Sequence, residues 1–184
     1  LNWNKLSVVP GIRFENVQLN KKDYGKTDPE RTSASLIETK NTVTSFIPGI
    51  GVDYKFSKNL SAFAGVHKGF APPGPTEDAK AEESYNYELG LRYAYKGLSG
   101  QVVGFYNNYK NLLGSDLAAS GGSGTGELFN GGKVESKGIE FQAAYDFLSS
   151  AKTAFSLPLT IVYSYTDAIF KSSFKKANRT NLKS

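Results

Sequence analysis

Cysteine and methionine are absent from this chain of 184 residues, which has one histidine and one tryptophan. The lack of cysteine excludes disulfides, thiolate metal sites and thiol chemistry. No uninterrupted run of apolar residues exceeds three, whereas a membrane-spanning helix needs about 20. A helical membrane protein is therefore excluded. His67 is the only histidine, so no multi-histidine metal cluster and no Ser-His-Asp arrangement independent of it can be built. We expect no metal site, no cofactor and no catalytic residue.

The residues that are abundant favour strands and turns. Aromatic residues make up 13% of the chain, with 12 Phe and 11 Tyr, and there are 19 Gly. The net charge is +5, and the segment 171–184 alone has five positive residues and no acidic one. These residues are Lys171, Lys175, Lys176, Arg179 and Lys183. The remainder is balanced in charge, so we expect no nucleic-acid partner.

Alternation of apolar and polar residues is the main structural signal. In 85–96, Tyr and Leu occupy one face, and Asn, Glu, Gly, Arg, Ala and Lys occupy the other. With this segment included, alternation predicts seven strands, at 8–16, 46–56, 60–70, 85–96, 101–109, 138–147 and 156–166. No segment predicts a helix. Long connections (20–40, 71–82 and 111–132) alternate with short ones (57–59, 96–98 and 148–154). Long loops at one end of a meander and tight turns at the other are typical of outer-membrane barrels.

The length and depth pattern of the strands also indicates a barrel. Membrane strands need about 9–11 residues, against about five or six in globular proteins. In 85–95, tyrosines lie at both ends and leucines in the middle, as in an apolar band between aromatic girdles. We predict an all-β fold, a fragment of a transmembrane antiparallel β-barrel, because seven strands do not close such a barrel. The alternative is a two-sheet sandwich.

Four segments resemble one family, the TonB-dependent outer-membrane receptors. Lys68-Gly-Phe-Ala-Pro-Pro-Gly-Pro75 looks like a loop entrance of these receptors, and most resembles their ferric-dicitrate branch. Glu83-Ser-Tyr-Asn-Tyr-Glu-Leu-Gly-Leu-Arg92 is similar to their E-x-x-x-x-E-x-G-x-[RK] strand. The segments 105–113 and 132–140 are similar to the two strands that follow it.

This resemblance implies a 22-stranded, plugged barrel in the bacterial outer membrane. It also implies import of a ferric siderophore or other iron chelate, such as ferric citrate, energised by the inner-membrane TonB complex. Because no plug, TonB-binding motif or closing aromatic strand is recognisable, residues 1–184 are expected to be part of one β-barrel domain. A passive, porin-like barrel and a soluble β-sandwich binding module are the alternatives, and no enzymatic activity is expected.

Candidate site residues follow from charge and from the predicted faces. Ferric chelates are anionic or rich in acceptors, so Arg31, Lys68 and Lys80 in or beside long loops are candidate ligands, the alternative being solvated loop charges. Candidate contacts of a plug in the lumen are Glu88, Arg92 and Glu140, the alternative being solvation by water. For the basic segment 171–184 we expect an electrostatic contact with phosphate-rich lipopolysaccharide. The glycine-rich segment 122–126 lacks the Lys-Ser/Thr of a phosphate-binding loop.

Overall fold

The computed structural model describes residues 1–74, 79–115, 128–149 and 155–171, and regular structure in them consists of strands. The strands are β1 (Asn2–Trp3), β2 (Leu6–Asp23), β3 (Ile37–Lys55), β4 (Leu60–Ala71), β5 (Glu82–Tyr95), β6 (Leu98–Lys110), β7 (Leu113–Ser115), β8 (Leu128–Asn130), β9 (Val134–Asp146) and β10 (Pro158–Phe170). A search of these ranges for a long apolar helix able to cross a membrane finds none.

Eight strands form one antiparallel sheet in the order β1-β2-β3-β4-β5-β6-β9-β10. β7 and β8 form a separate small hairpin, inserted between β6 and β9. Within the described ranges, no strand pairs with the edge of β10 that faces away from β9. The edge of β2 that faces away from β3 is paired only over its short contact with β1. The sheet is therefore an open meander with two long edges, as a segment of a larger barrel must be.

All seven predicted strands are present, as β2, β3, β4, β5, β6, β9 and β10. β2 extends to Asp23 and β3 begins at Ile37, and the two strands are paired with each other as far as these residues. The predicted bounds of both strands are therefore too short. The predicted loop 20–40 therefore shrinks to 24–36. The predicted loop 111–132 also contains β7 and β8.

The pairing register sorts the side chains onto two faces. One face, which we call the apolar face, contains rows such as Val8, Val52, Ala64, Leu89, Gly104, Ile139 and Tyr165, which are cross-strand partners. Its large side chains are exposed; Ile12 and Leu89, for example, are 74% and 66% exposed. The opposite, polar face includes Asp53, Glu88, Arg92, Gln101, Glu140 and Gln142.

Little of this sheet is buried by the chain itself. In the described residues, the buried hydrophobic side chains are Phe63 and Val134. A two-sheet sandwich would instead bury one face of each sheet in a common core. The chain therefore does not form a two-sheet sandwich. The exposed apolar face of its sheet requires a nonpolar solvent such as lipid.

Polar pairs mark the end of the apolar band nearest the long loops. Asn16 Nδ2 donates to Thr44 Oγ1 over 3.0 Å on β2–β3, Lys68 forms an ion pair with Glu83 on β4–β5, and Lys137 Nζ lies 3.8 Å from Asp167 Oδ2 on β9–β10. We call these three pairs the polar border. All six residues belong to the apolar face by register or by alternation.

Beyond the polar border the two faces of the β2–β3 hairpin exchange character. Below it, Ile12 and Phe14 are exposed on the apolar face. Above it, Val17 and Leu19 lie half-buried on the polar-face side, while Gln18 and the neighbouring asparagines are exposed on the other side. This inversion is expected where a hairpin leaves lipid for water, because its outer surface must then be polar.

Candidate functional site

The long loops meet the polar face at one end of the sheet, which we call the mouth. It comprises the loop 24–36 between β2 and β3, the loop 72–81 between β4 and β5, and the start of the segment after β6. The candidate ligands Arg31 and Lys80 lie in these two loops, and Lys68 lies on β4 close to the mouth. The structure therefore places all three at the same end of the sheet.

The loop 24–36 is organised by a buried carboxylate. Asp28 is 5% exposed, and its Oδ1 accepts hydrogen bonds from Thr32 N at 2.8 Å and from Thr32 Oγ1 at 2.9 Å. These contacts, with the neighbouring N–H groups of Ser33 and Ala34, hold the pKa of Asp28 below its usual value of 3.8. An ionised Asp28 thus stabilises the turn that presents Arg31.

Arg31 has a left-handed backbone conformation with φ of 55°, and its N–H donates to Asp28 O over 3.1 Å. Its guanidinium carbon is 5.8 Å from the centroid of the Tyr24 ring. The side chain is exposed and positioned by an aromatic neighbour, a geometry that leaves its donors able to reach an anionic ligand.

Two hydrogen bonds hold residues 79–82, which lead into β5. Asn41 Nδ2 of β3 donates to Ala79 O over 3.1 Å, next to Lys80. The carboxylate of Glu82, which follows the loop, accepts a hydrogen bond from Leu113 N at 2.8 Å. Asn41 and Glu82 both belong to the polar-face side by register. Residues 79–82, including Lys80, are thus held on the polar-face side of the mouth.

Lys68 has a different environment from the other two candidate ligands. It is the cross-strand partner of Tyr85, and therefore lies on the apolar face. Its side chain is 13% exposed and forms an ion pair with Glu83. Lys68 is thus a residue of the polar border, turned away from the polar face.

β3 and β4 separate just below the mouth. β3 pairs with β4 only over Gly49–Lys55, although β4 continues along β5 as far as Ala71. A cleft of about 520 Å³, lined in part by Ile47, Gly49, His67 and Phe70, occupies the separation. On the long-loop side of Gly49, the β2–β3 hairpin consequently extends without pairing to β4.

The three predicted lumen residues, Glu88, Arg92 and Glu140, do share the polar face. Glu88 lies over Gly65, where an added Cβ would come within 2.8 Å of Glu88 Oε1. Glu140 lies between Val103 and Ser164 in register. Arg92 Nη1 is 3.4 Å from Asp53 Oδ2, and its guanidinium carbon is 3.7 Å from the Phe63 ring centroid.

Several residues that organise this site are not among those predicted from the sequence. Asp53 and Phe63 hold Arg92, and Asn41 and Asp28 hold the two loops. Asp53 alternates with Val52 and Tyr54, a signal that could have placed it on the polar face, but its partner Arg92 depends on the register of β3, β4 and β5. In the described ranges, no group of three or more His, Cys, Asp or Glu residues could hold a metal ion.

Comparison with known proteins identifies a family. The family model described as TonB dependent receptor-like, beta-barrel matches residues 1–182. The pesticin receptor of Yersinia enterocolitica is 32% identical over 107 residues, which cover 53% of this chain and 15% of the receptor. The hemoglobin-haptoglobin utilization protein B of Neisseria meningitidis is 27% identical over 124 residues, covering 56% of this chain and 15% of that protein.

A solved structure, the ferric citrate transporter FecA in its unliganded form, matches with a TM-score of 0.65 and 19% identity. The match covers 91% of this chain and 24% of the transporter, so the chain spans about a quarter of that barrel protein. At this identity the similarity shows the fold. The fold is that of a segment of a large antiparallel barrel.

Proposed function

The chain belongs to the TonB-dependent receptor β-barrel family, and from that premise we propose that the full-length protein imports a ferric chelate across the bacterial outer membrane, energised by the inner-membrane TonB complex. Barrels of this family are outer-membrane proteins, so the apolar face contacts lipid and the polar face lines the lumen. Two of the relatives named above are, by name, a receptor and a transporter, and the family is one of receptors, in agreement with the prediction that the chain is not an enzyme.

The observation that carries this proposal is the family match over nearly the entire chain. The names of the relatives support the cargo class, since FecA is described as a ferric citrate transporter. We propose ferric citrate as the first chelate to test, because the loop entrance at 68–75 is similar to that branch. Residues 1–184 would form part of one barrel domain, completed by a plug and by further strands of the full-length protein.

Within this site, Arg31 and Lys80 are the proposed chelate ligands, because they lie in loops at the mouth. Lys68 is the weakest of the three candidates, since its ion pair with Glu83 lies on the lipid-facing side. Glu88, Arg92 and Glu140 are the proposed contacts of the plug, with Arg92 as the strongest of them because its planar donors suit carboxylates and carbonyls. The proposed contact of 171–184 with lipopolysaccharide falls almost wholly outside the described residues.

The test is uptake of radiolabelled iron as ferric citrate by cells that express the full-length protein as their only ferric citrate receptor. We expect uptake that disappears when TonB is deleted, and at least about tenfold weaker binding in Arg31→Ala or Lys80→Ala, the value expected for loss of a charge-assisted hydrogen bond. Lys26→Ala, in the same loop as Arg31, is the matched control and should leave binding unchanged. Uptake that persists without TonB would support the passive-pore alternative. TonB-dependent uptake of another ferric chelate alone would retain the function and reject ferric citrate.

A further inference from the structure

The edges of β3 and β4 face each other without pairing at 45–48 and 68–71, a stretch that we call the seam. Below the seam, on the side of the short turns, the ladder between the two strands ends at Gly49. Above it, Asn41 Nδ2 of β3 donates to Ala79 O, in the loop that follows β4, over 3.1 Å. Residues of both edges line the cleft of about 520 Å³. The two edges are therefore connected at both ends of the seam but unpaired within it.

The backbone groups of the two edges point towards each other. Lys55 N donates to the turn that precedes β2, and Phe56 N donates to Leu60 O at the start of β4. Successive residues of a strand direct their N–H and C=O groups to opposite sides, and the register of β3 with β2 and of β4 with β5 is uninterrupted. Even-numbered residues of the two strands therefore face each other, including Phe46 on β3 and Phe70 on β4.

The unpaired groups lie at the depth of the polar border. Thr44, which precedes the seam on β3, and Lys68, its first residue on β4, both belong to that border. Phe46 lies on the apolar face and is 54% exposed. Within the part of the chain that the structure describes, no strand pairs with the facing groups of Phe46 and Phe70. Since lipid offers no hydrogen-bond partner, an open seam at this depth is less favourable than a paired one.

Pro48 explains why the ladder stops where it does. It follows the pair Gly49–His67, in which an added Cβ at Gly49 would lie 3.0 Å from His67 Cβ, so the strands are still in close contact there. By the same alternation the backbone of Pro48 faces β4, where it has no N–H to donate to Lys68 O. One ladder bond is missing at this point, whereas the next facing pair towards the mouth lacks no donor.

We propose that the seam has two states, open as described and closed by continuation of the existing register. In the closed state Pro48 pairs with Lys68 and Phe46 pairs with Phe70, and the cleft between the strands disappears. Pro48 keeps the two states close in free energy, because the first step of closure forms one hydrogen bond fewer than elsewhere in the ladder. The β2–β3 hairpin moves with its edge of the seam, so closure also shifts Arg31 relative to β4. The proposal concerns the barrel wall and is independent of the cargo.

Disulfide trapping tests closure, because the sequence contains no cysteine. The full-length protein, with any cysteine elsewhere replaced by serine, is oxidised in lipid vesicles and its crosslinking is followed by mass. Ser45→Cys with Ala71→Cys joins two positions that face each other across the closed seam, with Cα atoms about 4.5 Å apart, within reach of a disulfide. Lys55→Cys with Ser61→Cys, a pair already in register, is the positive control. Val43→Cys with Ala71→Cys, two residues out of register, is the negative control.

We expect the seam pair and the positive control to crosslink and the out-of-register pair to remain reduced. No crosslink at the seam, while the positive control reacts, would overturn the proposal; another segment lodged in the cleft would give this result. Equal crosslinking of the out-of-register pair would also overturn it, because the edges would then meet without a defined register. Thermal unfolding in the same vesicles checks that each variant folds.

Proline variants test the cause without relying on a trap. Pro48→Ala restores the missing donor, and we expect it to accelerate crosslinking of the seam pair about two- to tenfold and to slow amide exchange of 68–71 by a similar factor, the value of one net hydrogen bond. Pro10→Ala is the matched control: it lies on β2, and its backbone faces away from β3, since Val8 N donates to Leu1 O on the other side. Equal effects of the two substitutions, or unchanged exchange of 68–71 in Pro48→Ala, would overturn the proposal.

Discussion

The guanidinium carbon of Arg92 lies 3.7 Å from the centroid of the Phe63 ring, and Phe63 in turn covers Gly90 on the neighbouring strand. The cation is thus held by a ring and by the carboxylate of Asp53 on the polar face. We expect Arg92→Gln to cost about 0.5–1 kcal/mol of stability, the value of an exposed cation–π contact. Reversible unfolding of the full-length protein in lipid measures it. Asp53→Asn should cost less, because exposed ion pairs contribute little, and a larger effect of Asp53→Asn would contradict this ranking.

Gly90 leaves room for the ring of Phe63. A Cβ at this position would come within 2.4 Å of Phe63 Cζ and 2.8 Å of Val102 O. Gly90→Ala should therefore destabilise the protein by about 1–3 kcal/mol, as overpacking does. Gly104→Ala is the control on the adjacent strand, where the space is open. If both substitutions had the same effect in reversible unfolding, the packing of Phe63 over Gly90 would not be the cause.

Leu89 and Glu88 are neighbours in the chain that face opposite environments. Leu89 is 66% exposed on the apolar face, at the middle of the band, and Glu88 lies on the polar face. We predict that Leu89→Arg costs about 2–4 kcal/mol in the full-length protein, whereas Glu88→Gln is much milder. Unfolding in lipid vesicles compares the two. Equal sensitivity would mean that the faces are assigned incorrectly.

Protonation of Asp28 should loosen the loop 24–36. Since its pKa is lowered in the folded protein, its contribution is present above the usual value of 3.8 and is lost as the pH falls through the lower, folded value. Protease cleavage within this loop should therefore accelerate in acid at a pH below 3.8. Asp28→Asn should show faster cleavage already at neutral pH. Glu30→Gln, in the same loop, serves as the control and should retain the wild-type profile.

The number and order of the long strands could be predicted because their alternation is local. The full length of β2 and β3 could not, since the apolar residues change faces at the polar border. Val17 and Leu19 are out of phase with Ile12 and Phe14, so a single alternating pattern ends there although the pairing continues. Where a strand passes from lipid into water, its apolar residues are expected to change from one face to the other. Such a change of phase in a sequence can therefore be used to predict the membrane boundary.

The candidate site was predictable in its charges but not in its partners. Alternation placed Glu88, Arg92 and Glu140 on one face, as the register shows. The environment of Lys68 depends on its diagonal position relative to Glu83 on another strand, which sequence spacing does not specify. Likewise, the left-handed conformation of Arg31 follows from the turn around Asp28, and arginine itself has no preference for it.

The polar border also determines how much of the β2–β3 hairpin stands clear of the membrane. From Asn16 to Asp23 the strand adds about 23 Å, at ~3.3 Å per residue, and its exposed outer side presents Gln18, Asn20 and Lys22. Beyond the border, pairing between β2 and β3 holds the projection together, and its hydrophilic outer side faces water. Substitutions on that side should therefore leave the lumen and the lipid-facing surface unchanged.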